Sequence, residues 1–151
     1  MTNTKDRKAI KINPNYIEAY NGCGNAYKNL KKFEEAVQSF KKAIQIEPRY
    51  FEAQINLGSV LIKLERFEDA IKNFDKVIDV DNLAAQAFQG KAYSLMKLKK
   101  YEEAIYNFNK SIKINPNDAN VFYNLGATYE NLKKWQEAAD SFSQAMQINP
   151  N

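Results

Sequence analysis

The prolines of this chain keep a fixed step. Pro48 stands 34 residues after Pro14, Pro116 two such steps after Pro48, and Pro150 one step further. The place the series skips is Asn82. Other columns keep the same interval: Ala36, Ala70, Ala104 and Ala138; Phe40, Phe74, Phe108 and Phe142; Leu30, Leu64, Leu98 and Leu132; the aromatics Phe33, Phe67, Tyr101 and Trp135. Gly24, Gly58 and Gly126 form a further column, with Ala92 as the small substitute. Aligned columns at this period define an internal repeat, and a unit of this size must stack on neighbours to bury its apolar faces. The repeats are 17–50, 51–84, 85–118 and 119–151, with a partial one at 5–16 that matches only the second helix. They are expected to form one continuous solenoid domain.

Each repeat reads as two helices. Ile55, Leu57, Gly58, Leu61 and Leu64 predict one from 51 to about 64, and Ala70, Ile71, Phe74, Val77 and Ile78 another from 68 to about 80. Acidic pairs open the second helices (Glu34 and Glu35, Glu68 and Asp69, Glu102 and Glu103), which suits the positive end of the helix dipole. Proline ends them, because the residue before it is pushed out of helical geometry. Asn82 lacks that constraint, but asparagine can end a helix in a left-handed conformation. The recurring small residues predict close contact between paired helices, since a mid-helix glycine otherwise costs up to about 1 kcal/mol.

Composition removes most chemistry. There is no histidine, the commonest general base and metal ligand, and a single cysteine, Cys23, which falls on an apolar stripe. No phosphate-binding glycine loop and no cysteine-rich metal spacing occur. The paired carboxylates sit beside lysines at exposed helix starts, where solvation and the dipole explain them. No catalytic residue, metal site or cofactor is expected, and the chain is read as a non-enzyme. No apolar stretch reaches the ~18 residues that would span a bilayer, and the polar N-terminus is not a secretory signal. An intracellular, cytoplasmic protein with no membrane association is expected.

The columns resemble the tetratricopeptide repeat family. Its unit has a large residue early in the first helix, then Leu-Gly, an aromatic, an alanine in the second helix, another aromatic, another alanine and a proline. The fourth repeat reads Phe122, Leu125-Gly126, Tyr129, Ala138, Phe142, Ala145, Pro150. The first reads Tyr20, Cys23-Gly24, Tyr27, Ala36, Phe40, Ala43, Pro48. The second departs at Gln54 and Leu61, the third at Lys91, Leu95 and Ser111. The resemblance implies an all-α fold, an α-solenoid in which antiparallel helix pairs form a right-handed superhelix. It also implies a concave groove lined by first helices, used by the family to bind a peptide or a partner helix.

In that groove the sequence would place Asn21, Asn25, Asn29, Ile55, Asn56, Ser59, Gln89, Tyr93, Met96, Tyr123, Asn124 and Asn131. Amides both donate to and accept from an extended backbone, and Tyr and Met add anchoring area. The family's carboxylate clamp for chaperone tails needs cations that are missing here: Asn21, Gln86 and Gly90 stand in their places. No carboxylate-clamp chaperone binding is expected. Lys31-Lys32, Arg66, Lys99-Lys100 and Lys133-Lys134 would form a basic edge, but acidic residues follow each, so nucleic acid is not the expected partner. The last helix would expose Phe142, Ala145 and Met146, leaving uncapped ends open to self-association and marking the chain as an excised piece of a longer array. The function expected is a non-catalytic protein–protein interaction scaffold for a protein or peptide ligand. The alternatives are a self-associating structural segment or a regulatory array of a larger enzyme.

Overall fold

A computed structural model describes residue 13, residues 16–81 and residues 84–150. Among these are eight α-helices and no strand: α1 Ile17–Asn29, α2 Phe33–Ile46, α3 Phe51–Lys63, α4 Phe67–Ile78, α5 Ala85–Lys97, α6 Tyr101–Ile114, α7 Ala119–Asn131 and α8 Trp135–Ile148. Each expected repeat supplies one pair. The partial repeat at 5–16 lies outside the described residues except for Asn13 and Tyr16, and so do Asn82 and Asn151. Two compact units divide the chain, residues 1–73 and 74–151.

Both helix ends follow from local sequence. Glu47, Asn115 and Asn149 take extended backbone angles, φ −129°, −129° and −131°, immediately before Pro48, Pro116 and Pro150, as the proline ring requires. The first helices end differently. Lys31, Glu65, Lys99 and Lys133 have φ between 57° and 61°, the left-handed region. The backbone N–H of Lys32 reaches the carbonyl of Tyr27 at 2.9 Å and that of Lys31 the carbonyl of Lys28 at 3.0 Å. The same pair of bonds recurs at Arg66 and Glu65, Lys100 and Lys99, and Lys134 and Lys133. This is the Schellman closure, and glycine is its usual left-handed residue. No glycine marks it in the sequence, where these turns read only as charged.

In the first unit α1 packs on α2, and α2 on α3. Ala36, Phe40 and Ala43 of α2 are completely buried, with Ala19 and Cys23 of α1 and Ala53, Val60 and Leu61 of α3 around them. The glycine column is explained by contact with that phenylalanine: a β-carbon on Gly24 would sit 2.5 Å from the Phe40 ring. In the second unit α5 packs on α6, α6 on α7 and α7 on α8. Phe74, Phe108, Ala87, Ala92, Ala104 and Val121 are buried there, and a β-carbon on Gly126 would lie 2.8 Å from Phe142. Burying each such phenylalanine contributes roughly 1.5–3 kcal/mol.

The departures in the third repeat are compensated. Ser111, where alanine is usual, donates its hydroxyl to the carbonyl of Ala85 at 3.0 Å. Lys91, where leucine is usual, places its ammonium 2.6 Å from Asp75 of α4. Gln54 of the second repeat is less well served. It donates to the Pro48 carbonyl at 2.6 Å, but its Oε1 is buried with no partner among the described residues.

Candidate functional site

In the first unit Asn21, Asn25 and Lys28 lie at i, i+4 and i+7 on α1, and Glu52, Asn56 and Ser59 at i, i+4 and i+7 on α3, so each trio shares a helix face. The two faces meet. Lys28 Nζ donates to Asn56 Oδ1 at 3.4 Å, and Asn56 Nδ2 donates to Asn21 Oδ1 at 3.3 Å. Asn21 Nδ2 donates to Glu52 Oε1 at 2.8 Å and to the Tyr50 hydroxyl at 3.2 Å. Asn25, Ile55, Asn56 and Ser59 are half-buried, and Asn29 is exposed. Burial raises the Tyr50 phenol above its ordinary value, and the charge of Glu52 together with a hydrogen bond to it adds to the shift.

Asn21 is a correction to the expected groove. It is 5% exposed, because the start of α3 lies over it and its amide hydrogens serve Tyr50 and Glu52 rather than a ligand. Tyr50 and Glu52 are absent from the expected set. Helical spacing joins Glu52 to Asn56, but the reach from α3 to Asn21 is a tertiary fact that spacing does not carry.

In the second unit Gln89, Tyr93 and Met96 occupy i, i+4 and i+7 of α5 and are half-buried. Lys97 extends its ammonium over the Tyr93 ring, 5.7 Å from the centroid, a contact that favours a cation on an aromatic face. On α7 Asn124 is half-buried. Asn131 is occupied: its Oδ1 accepts from the Tyr101 hydroxyl at 3.1 Å and its Nδ2 donates to the Ala127 carbonyl at 2.8 Å. Tyr123 is exposed. Its ring packs on Phe142 at 5.5 Å, and it lines a groove of about 330 Å³ with Ala119, Phe142, Ala145 and Met146. It stays 61% exposed on that side.

Elsewhere the chemistry is structural. Cys23 is buried. Among the described residues no group of three or more His, Cys, Asp or Glu is placed to hold a metal ion, and no helix is long and apolar enough to cross a membrane. The basic turns pair locally: Arg66 lies 2.6 Å from Asp69 and Lys100 4.0 Å from Glu103. The hydrogen bond from Arg66 holds the Asp69 carboxyl below its usual range.

Helix pairs repeated every 34 residues, the first and fourth closed by a glycine–phenylalanine contact, define a helical-repeat protein. Sequence models of the tetratricopeptide repeat match residues 17–50 and 119–151 and residues 51–82, and one described as TPR repeat matches 92–133. The chain belongs to the tetratricopeptide repeat family. No curated protein sequence matches it. Among solved structures it is similar to MamA 41-end from Desulfovibrio magneticus RS-1, with 21% identity, a TM-score of 0.87, and coverage of 96% of this chain and 82% of that one. Another MamA structure shares 23% identity at a TM-score of 0.86, covering 96% and 85%. YrrB, described as a TPR protein with an unusual peptide-binding site, shares 26% identity at a TM-score of 0.79, covering 97% and 75%.

Proposed function

We propose that this chain is a non-catalytic scaffold that binds a peptide segment or partner helix on the faces of its first helices. The observation that carries the reading is in the first unit. There Asn25, Ile55, Asn56 and Ser59 stand together, half-buried, on α1 and α3, with amide and hydroxyl groups beside apolar area. An extended peptide can satisfy such groups along its backbone while its side chains meet the apolar parts. Family membership supports the reading, as does the peptide-binding description attached to YrrB. The cations that a chaperone-tail clamp needs are missing from Asn21, Gln86 and Gly90, so no affinity below about 1 μM for such a tail is expected.

The test compares two baits, the unaltered chain and one carrying Asn56→Ala with Tyr93→Ala, after circular dichroism has shown both to be helical. Partners captured by the first and lost by the second are the expected result. Identical partner sets would overturn the reading.

One observation favours self-association as a second reading, with a second copy of this chain as the occupant. In the second unit Phe108 and Ser111 of α6 are 0% and 2% exposed beneath α7. One repeat later Phe142 and Ala145 are half-buried and Met146 is 62% exposed in the α7–α8 groove. A first helix of this chain is the element that covers such a face, so a second copy has the right shape and polarity for it. Mass that rises with concentration in light scattering, and falls back in Met146→Glu, is expected. A constant monomeric mass into high micromolar concentration would contradict this reading.

A further inference from the structure

Within each unit one packing contact joins a second helix to the first helix that follows it, α2 to α3 and α6 to α7. Burial at fixed repeat positions shows both halves of that contact. On the second helices the half is a phenylalanine and the small residue three places on. Phe40 with Ala43, and Phe108 with Ser111, are buried, but Phe142 and Ala145 of α8 are half-buried and Met146 beside them is exposed. On the first helices the half includes the position that Ala26, Val60 and Thr128 share. Val60 of α3 and Thr128 of α7 are completely buried, but Ala26 of α1 is half-buried. Thr128 is buried in the same repeat whose Phe142 stays open, so different neighbours cover the two halves. The second unit therefore presents one open half, on α8, and the first unit the other, on α1.

A groove lies beside each open half. In the second unit it is the one of about 330 Å³ between α7 and α8. In the first unit a groove of about 280 Å³ runs between α1 and α2, with the rings of Tyr20 and Tyr27 on one wall and Gln38, Ser39 and Lys42 on the other. Aromatic area with a polar rim suits the face of α8, where Phe142, Ala145 and Met146 have the exposed Ser143 and Gln144 among them. Charge gives the contact its direction. α8 carries Glu137 and Asp140 and no lysine or arginine, so two α8 helices laid together would set like charges side by side. The α1–α2 groove balances one carboxylate, Glu35, with one ammonium, Lys42, and does not repel an acidic helix.

We propose that α8 of one copy seats on α1 and in the α1–α2 groove of a second copy, so that copies join head to tail and not as symmetric pairs. The inference rests on the self-association reading and names the surface that the second copy offers. A contact between unlike faces leaves a joined pair with one open face of each kind, so further copies add.

The test is complementation between variants that each spoil one half. Met146→Glu closes the α8 face and Ala26→Glu the α1 face, with a residue that favours helix. Lys42→Glu, exposed on the groove rim, probes the same end without altering α1. Each variant is first shown to be helical by circular dichroism. Light scattering then follows the full chain into high micromolar concentration. The unaltered chain is expected to grow past a dimer, Met146→Glu and Ala26→Glu each to stay monomeric, and Lys42→Glu to associate about threefold more weakly. An equimolar mixture of Met146→Glu with Ala26→Glu should reach twice the monomer mass and stop, because one compatible pair of faces remains. If Ala26→Glu and Lys42→Glu assemble as well as the unaltered chain, or if the mixture stays monomeric, the inference is overturned and self-association stands. A constant monomeric mass of the unaltered chain would leave α1 to residues 5–16, which match a second helix in sequence, and would overturn the self-association reading and this inference together.

Discussion

The ring of Phe74 on α4 fills the space that a side chain on Gly90 of α5 would need. The contact explains a break in the amide column, where Asn56 and Asn124 of neighbouring repeats alternate with Gly22 and Gly90. Replacing Gly90 with asparagine would restore the amide and force the ring aside. Overpacking outweighs the helix propensity regained, and a net loss of roughly 1–2 kcal/mol is expected. Urea denaturation reads the change, and an unaltered or raised midpoint would contradict the packing account.

The left-handed turn residues make a prediction of the opposite sign. Lys31, Glu65, Lys99 and Lys133 hold φ values of 57° to 61° that glycine adopts without strain. Lys31→Gly, Lys99→Gly and Lys133→Gly should each stabilise the fold, by up to about 1 kcal/mol. Each site lies in its own turn and closes its own helix, so the gains should add. Thermal melts of the single and triple variants test this, and a falling midpoint would show that the lysines contribute something that the turn geometry does not.

Gln54 carries a buried oxygen without a partner. Gln54→Leu removes that atom and leaves the exposed Pro48 carbonyl to water. A gain of about 1 kcal/mol is expected, since an unsatisfied buried acceptor costs about 1–3 kcal/mol. Loss of stability would mean that the bond to Pro48 outweighs the orphaned oxygen.

Tyr50 sets an alkaline limit. Its folded pKa lies above the value of 10.0 for a free phenol, so the neutral form is favoured by folding. Its contribution is intact below the unfolded pKa and is lost as pH rises through the folded one. Denaturation midpoints measured on the alkaline side should fall more steeply for the unaltered chain than for Tyr50→Phe. Parallel slopes would remove Tyr50 from the account.

The helix pairs were legible because buried positions recur: Ala36, Phe40, Ala104 and Phe108 are fully buried where the columns place them. The Schellman turns were not legible, because lysine and glutamate stand where glycine would signal them. The make-up of the first-helix faces was legible only in part. Periodicity tells which residues share a helix face, but not how far the next helix overlaps it. Asn21 and Tyr123 occupy the same repeat position, yet α3 covers the first and the second packs on Phe142. The direction of the amides from Lys28 to Glu52 needed coordinates, since it depends on a cation and a carboxylate on different helices.

The central claim, that the first helices carry the binding face, is tested most directly by locating a captured peptide on the protein through amide chemical shifts. The account predicts that the perturbed resonances belong to Asn25, Asn56, Ser59 and Tyr93, while exposed positions on second helices such as Glu35, Lys72 and Lys110 stay still. Perturbations gathered on those second-helix positions, with the first-helix faces unmoved, would contradict it.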